Sequence, residues 1–213
     1  MKMTQKNIVI ASPFLIIGTN LGVAYGFGQI MGKWAFIPMV LIGWALWLFF
    51  SLKYGGTASV KQWLKKPQGK IWWGLLALII GLITLPIFLL YNDLLKGWTL
   101  WLPWILLALI NPWIEEFYWR GLLLDYTKDW SSGSSILFSS ILFSINHIAF
   151  GINSQVNSGL EVVISTLLMG IIWAIIYKKT KSLRWTIFSH FLVDFLGLSS
   201  VAFLDLFIRA SFN

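Results

Sequence analysis

The sequence predicts an all-α polytopic membrane protein, a bundle of seven to eight transmembrane helices, and three observations carry that prediction. Of 213 residues 58% are hydrophobic and only 11% charged, with a mean hydropathy of +0.77, far from the roughly 25% charged residues of soluble domains. Apolar runs recur along the chain, each close to the ~20 residues that a helix needs to cross ~30 Å of hydrocarbon. The basic residues collect in the short stretches between those runs. A net charge of +8 distributed in this way sets topology and attracts anionic lipid, and it excludes the nucleic-acid partner that the charge alone would suggest.

The runs fall at 8–31, 34–52, 71–91, 98–123, 134–152, 160–177 and 183–200, followed by a short apolar tail at 201–212. The first is too long for a signal-peptide core and lacks a small-residue cleavage site, so it reads as a retained helix. Gly18, Gly22 and Gly26 give it a small-residue stripe suited to close helix packing. After the second run comes the longest polar stretch, Lys53 to Lys70, a loop with a short interfacial helix expected around Val60 to Leu64. Trp72 and Trp73 open the third run and Trp98 and Trp101 the fourth, the placement of an interfacial aromatic belt. Asn111-Pro112 is expected to kink or start the helical stretch that follows it, since proline removes a backbone donor. The stretch Gly151 to Gly159 is polar but uncharged and reads as an outer turn.

No linker is long enough to separate two units, so residues 1–213 read as a single integral-membrane domain whose motif-bearing core spans 98–200. With the N-terminus inside, the cytoplasmic side receives Lys2, Lys6, Lys53, Lys61, Lys65, Lys66, Lys70, Lys128, Lys178, Lys179, Lys181 and Arg184. The outer side receives only Lys33, Lys96 and Arg209. That asymmetry predicts a multi-pass protein of the cell membrane with a cytoplasmic N-terminus.

Ionisable groups in apolar sequence need a reason, because a charge at membrane depth costs ~2.5–3.5 kcal/mol on insertion scales. The fourth run carries Glu115, Glu116 and Arg120, although the whole chain has only 8 acidic residues. The only 2 histidines, His147 and His190, lie in the fifth and seventh runs, and Asp194 follows His190. Taken singly, each has a plain structural explanation, as an ion pair or as an interhelical hydrogen-bonding group. Taken together, they would have to enter the bilayer independently, and a shared site is the simpler account.

Spacing sharpens that account. Glu116 and Arg120 are i,i+4, the order in which an acid and a base pair best. Glu115 is turned about 100° from Glu116, so one glutamate can be held by the arginine while the other faces a cavity. Phe143 stands four residues before His147 and lies against its imidazole. His190 and Asp194 are again i,i+4, and the carboxylate can orient the imidazole or join it on a metal. Measured from the expected cytoplasmic ends at ~1.5 Å per residue, Glu115 is ~13 Å deep, His190 ~10 Å and Asp194 ~16 Å, whereas His147 is ~20 Å deep. The count favours a cavity below the cytoplasmic surface, with His147 as its outlier. The absence of cysteine excludes disulfides and thiolate chemistry, leaving water, a carboxylate or a hydroxyl as nucleophile.

Glu115-Glu116-x-x-x-Arg120-Gly121, Phe143-x-x-x-His147 and His190-x-x-x-Asp194, in that order, resemble the CAAX protease and bacteriocin-processing (CPBP, or abortive-infection) family of intramembrane endopeptidases. The resemblance covers about 115 to 197; the first hundred residues match only in being hydrophobic helices. It implies that Glu115 and His147 activate a water, that Glu116, Arg120 and Phe143 support them, and that His190 and Asp194 complete the site as metal ligands or oxyanion-stabilising groups. Two mechanisms stay open, a divalent metal such as zinc held by His147, His190 and Asp194, or a metal-free glutamate protease. The family pattern accepts Asn or Asp at the last position. Asn can donate to an oxyanion, whereas an ionised Asp repels one unless protonated or cation-bound, so Asp194 tilts the expectation toward a metal.

The residues themselves agree with hydrolysis by an activated water: no Ser-His pair stands out, and with no H-E-x-x-H helix any metal site must be assembled across helices. The implied partner is a membrane-associated peptide or protein cut near the cytoplasmic face, in peptide pheromone or bacteriocin maturation or in immunity. A non-catalytic scaffold or immunity protein on the same fold is one rival reading. A proton- or ion-coupled transporter is another, disfavoured by the lack of internal repeats and by the sparse polar residues of the first three runs.

Overall fold

The computed structural model describes residues 4–206, so Lys2, Arg209 and the end of the 201–212 tail lie outside the described residues. Within them every regular element is helical. Thr4 caps α1 (Gln5–Met31) by accepting from the Asn7 amide, satisfying one of the donors that a helix start leaves orphaned. Gly32, at φ +56, ends α1 in a conformation that glycine adopts without strain. A short 3₁₀ turn follows, and α2 (Phe36–Phe50) packs back along α1. A widened turn at Ser51–Gly55 and Gly56, at φ +73, lead into α3 (Gly56–Trp63). The expected interfacial helix is therefore present and starts four residues earlier than Val60.

The chain continues through α4 (Trp72–Leu82), α5 (Leu85–Tyr91), α6 (Trp98–Glu116), a π-helical stretch Phe117–Leu122 and α7 (Leu123–Tyr126). It ends in α8 (Ser132–Gly151), α9 (Leu160–Thr180), α10 (Arg184–Leu196) and α11 (Ser199–Phe203). Among the described residues four helical segments are long and apolar enough to cross a membrane: Gln5–Trp63, Trp72–Leu95, Ser132–Gly151 and Leu160–Thr180. The expected spans at 98–123 and 183–200 are helical but different in kind. The first carries two glutamates and an arginine, and α10, at 13 residues, is only ~20 Å long. Their polar side chains face the interior of the bundle.

Small and polar residues set the helix contacts. Gly74 and Gly81 let α4 approach α10 so closely that a Cβ would stand 2.6 Å from the Trp185 ring and 2.8 Å from Leu192. Ser12 Oγ and Tyr118 OH share a hydrogen bond of 2.7 Å, and Asn20 donates to Asn146 at 2.9 Å, tying α1 to the helices beside it. Such bonds replace the hydrophobic drive that lipid cannot supply. The stripe Gly18, Gly22 and Gly26 does not take part: a Cβ at any of the three meets nothing within 4 Å, so it faces outward rather than into an intrachain contact.

The loops sort into two ends. Leu183 N donates to Trp63 O, Ser182 to Lys65 O, Arg184 to Leu64 O and Gln68 N to Thr180 O, while Lys6 pairs with Asp129. The lysine-rich stretches thus share one end. At the other, Asn153 donates to Ala24 O, Phe36 packs on Phe150 and Phe203, and Asp205 accepts from Ser154, Gln155 and Val156.

Gly121 shows how tightly the centre is closed, since a Cβ there would lie 2.8 Å from the ring of fully buried Trp63. Gly121→Ala is expected to destabilise by about 1–3 kcal/mol through overpacking. Gly18→Ala should be neutral or mildly stabilising, because it gains helix propensity and meets nothing. Thermal unfolding of the two variants in detergent compares them directly.

Candidate active site

α6 runs through Pro103 and Pro112 without stopping. No helix starts at Pro112, the second of the two outcomes expected there, and an irregularity comes five residues later, in the π-helical stretch at Phe117–Leu122. A widened turn of this kind re-aims side chains and recurs at functional sites. Here it buries Arg120 completely beside Glu115 and Glu116. Arg120 Nη1 donates to Glu116 Oε1 at 3.0 Å, as the i,i+4 spacing anticipated. Its guanidinium carbon also lies 4.0 Å from the centre of the Phe143 ring and 5.1 Å from that of Trp173, so aromatic faces take the place of water around the charge. Gly170 on α9 leaves the room, for a Cβ there would come within 3.3 Å of Arg120 Nη2 and of Phe143.

His190 is the hub. Its Nδ1 lies 3.1 Å from the same Glu116 Oε1, and its Nε2 faces Glu115 Oε2 at 3.8 Å and Asp194 Oδ2 at 3.7 Å. Trp173 stacks on the imidazole at 4.5 Å and donates from its own Nε1 to Ser189. Asp194 is held from both sides, Oδ2 accepting from Asn111 Nδ2 at 3.0 Å and Oδ1 from Ser199 Oγ at 3.1 Å. Trp44 Nε1 donates to Asn111 Oδ1 at 2.8 Å, which fixes the amide so that its nitrogen points to Asp194. Glu115 Oε2 is buried and has no hydrogen-bond partner in the protein.

His147 donates from Nδ1 to the Phe143 carbonyl at 2.8 Å, which leaves Nε2 with a free lone pair. Phe143 meets it edge-on at 4.5 Å and also lies against His190 at 6.4 Å, so one ring spaces the two histidines. His147, His190 and Asp194 line a common cavity of about 310 Å³, and Glu115, immediately behind His190, is not part of its wall. That wall extends to Val156, Asn157 and Phe203, at the end of the bundle remote from the lysines. A cavity just below the lysine-rich surface is therefore not what forms. The reason is the position of His147, sixteenth residue of α8 counted from the lysine-rich end, the outlier in the depth count.

The expected metal trio shares this wall without converging. Among the described residues no three His, Asp or Glu side chains are gathered so as to hold an ion. Asp194 accepts from Asn111 and Ser199, and His190 turns Nδ1 to Glu116 and Nε2 toward Glu115 and Asp194.

Sequence reasoning brought out Glu115, Glu116, Arg120, Phe143, His147, His190 and Asp194, and the structure assembles all seven around His190 and Phe143. It missed Trp44, Asn111, Gly170, Trp173 and Ser199. Asn111 had a visible signal, a polar residue in an apolar run, that was read only as a helix breaker. Trp173 had none, since a tryptophan in a membrane helix reads as packing or anchoring.

Removing Arg120 leaves Glu116 buried without its countercharge, and breaking a buried pair costs ~3–5 kcal/mol. Arg120→Ala is accordingly expected to lower the yield of folded protein, measured as the monodisperse fraction after solubilisation, whereas Glu115→Gln should leave that fraction near the wild-type level.

No curated protein and no solved structure matches the chain. Residues 97–196, from the start of α6 to the end of α10, match the family model described as type II CAAX prenyl endopeptidase Rce1-like. That segment, a little under half of the chain, holds the glutamate pair, the arginine, both histidines and Asp194, and over it the chain is similar to the Rce1-like family of CAAX-type membrane proteases.

Proposed function

We propose that the protein is an intramembrane endopeptidase that hydrolyses a peptide bond with a water activated by Glu115 and His147. The observation that carries this reading is the Glu115 carboxylate, buried with an unpartnered Oε2 beside His190 Nε2. Buried polar atoms nearly always have a partner, and a water or a substrate atom supplies one here. Glu115 takes a proton from the water as its oxygen attacks the carbonyl carbon, and the proton passes to the leaving amine as the C–N bond breaks. His147 presents the lone pair of Nε2 as a second acceptor at the cavity wall. His190, anchored through Nδ1 by Glu116, offers Nε2 to the charge that develops on the carbonyl oxygen. No step in this reading runs through a metal, because His147, His190 and Asp194 are not gathered around one point.

The substrate we propose is a membrane-associated peptide or protein. Phe143, Trp173, Met169, Val162 and Phe203 give the cavity apolar walls around a polar base, suited to an extended segment with hydrophobic side chains. Maturation of a peptide pheromone or bacteriocin, or immunity to one, is the setting we assign on family resemblance alone. We place the protein in the cell membrane with the lysine-rich end in the cytoplasm and the N-terminus inside. The cavity is then entered from the outer half of the bundle.

Three measurements test this. In proteoliposomes with a fluorogenic membrane-anchored peptide, Glu115→Gln and His147→Ala should each lower turnover ~10²–10⁴-fold, the usual weight of a general base. Wild-type turnover in Glu115→Gln would move the weight to a non-catalytic scaffold on this fold. Chelators should leave the enzyme active, and so should Asp194→Asn, because the amide oxygen can still accept from Asn111 while Ser199 accepts from the amide nitrogen. Inactivation by both would restore the metal reading. Finally, on this cysteine-free chain, a membrane-impermeant thiol reagent applied to intact cells should label Asn157→Cys and spare Lys61→Cys; the opposite pattern would invert the orientation.

A further inference from the structure

A second cavity, of about 300 Å³, opens at the lysine-rich end between the α7–α8 turn and the end of α9. Its wall carries Lys128, Lys178, Lys179 and Lys181. Among the described residues none of these four forms an ion pair with a carboxylate; the exposed pairs are Lys6 with Asp129 and Lys96 with Asp93. The one acid in the wall, Asp125, is already engaged, accepting from Trp63 Nε1 at 2.8 Å and from Tyr177 OH at 2.9 Å. Four lysines thus line a concave space whose single carboxylate gives its hydrogen bonds to indole and phenol donors, with Lys128 and Lys181 near enough to act on it electrostatically. Ser132, first residue of α8, adds a hydroxyl to the wall, and the positive end of a 20-residue helix dipole adds to the field.

The backbone gives an independent observation. Lys181 closes α9 in the left-handed conformation, φ +54 and ψ 28, with its amide donating to Tyr177 O at 2.7 Å. Glycine is the residue that takes this position without steric cost. A lysine there tolerates backbone strain, and it is one of the four that line the pocket.

We propose that this pocket binds a phosphate group, held by Lys128, Lys181 and the Lys178–Lys179 pair. Lysines recognise phosphate as point charges and need no bidentate geometry. The pocket stands where the helices of the bundle end, the level of the headgroups in a bilayer, so an anionic phospholipid is one source of the phosphate and a soluble phosphate ester the other.

The test uses the full chain in mixed micelles, with binding read by native mass spectrometry and by the shift in melting temperature. The probes are phosphatidylglycerol, phosphatidylcholine and glycerol phosphate. Phosphatidylglycerol should bind more tightly than zwitterionic phosphatidylcholine. Lys128→Gln and Lys181→Gly should each weaken it about fivefold, the fold-change that corresponds to ~1 kcal/mol per surface lysine. Lys33→Gln, at the opposite end, should leave it unchanged. Lys181→Gly gives the discriminating sign, because relief of the left-handed strain should raise the ligand-free melting temperature by ~2–3 °C while affinity falls. Glycerol phosphate binding as tightly as the lipid, with the same lysine dependence, would assign the pocket to a soluble ester. Equal binding of the two lipids without any binding of glycerol phosphate, or binding untouched in both lysine variants, would overturn the proposal.

Discussion

The bundle is organised around one atom, Oε1 of Glu116. It accepts from Arg120 Nη1 at 3.0 Å and lies 3.1 Å from His190 Nδ1, joining the end of α6 and the π-helical stretch to α10. Arg120 carries the linkage outward through the faces of Phe143 on α8 and Trp173 on α9. Four separate segments are thereby fixed relative to one another by a single buried pair. Taking two charges out of water is expensive, and a hydrophobic replacement of similar volume is often as stable. The pair earns its place through geometry, since no apolar residue at 116 would hold the His190 ring by Nδ1 and so direct Nε2 at Glu115 and Asp194.

What the sequence made legible was what is local. Helical spacing alone pairs Glu116 with Arg120, Phe143 with His147 and His190 with Asp194, and all three pairs are in contact. The helical class and the sorting of lysines were legible for the same reason, being properties of runs. What was not legible depends on partners distant in sequence. Asn111 meets Asp194 across 83 residues and Trp63 fills the space over Gly121, and neither spacing carries a periodic signal. The Gly18, Gly22 and Gly26 stripe failed in the opposite direction: a local pattern for packing proved to have no neighbour within 4 Å among the described residues.

The depth of His147 is the instructive case. A count of ~1.5 Å per residue set it apart from Glu115, His190 and Asp194. α8 begins at Ser132 beside the lysines and delivers His147 near its far end, while Phe143, one turn earlier, fills the distance to His190. The site residues do not share one level of the bundle: the charged cluster lies beside His190, and the His147 imidazole lines the cavity together with Val156 and Asn157 of the far loop.

That axial arrangement bears on how the chemistry is insulated. His190 Nε2 lies 3.8 Å from Glu115 Oε2 and 3.7 Å from Asp194 Oδ2, too long for direct hydrogen bonds. A gap of that size suits one small polar group between the ring and the two carboxylates, and a water has two protons to donate to them. Asn111 and Ser199 hold Asp194 by both oxygens, so this carboxylate is fixed. Glu115 Oε2 has no such tether. In the proposed hydrolysis the side chain least satisfied by the protein is therefore the one that takes the proton, and the Glu116–Arg120 pair keeps the imidazole opposite from turning away.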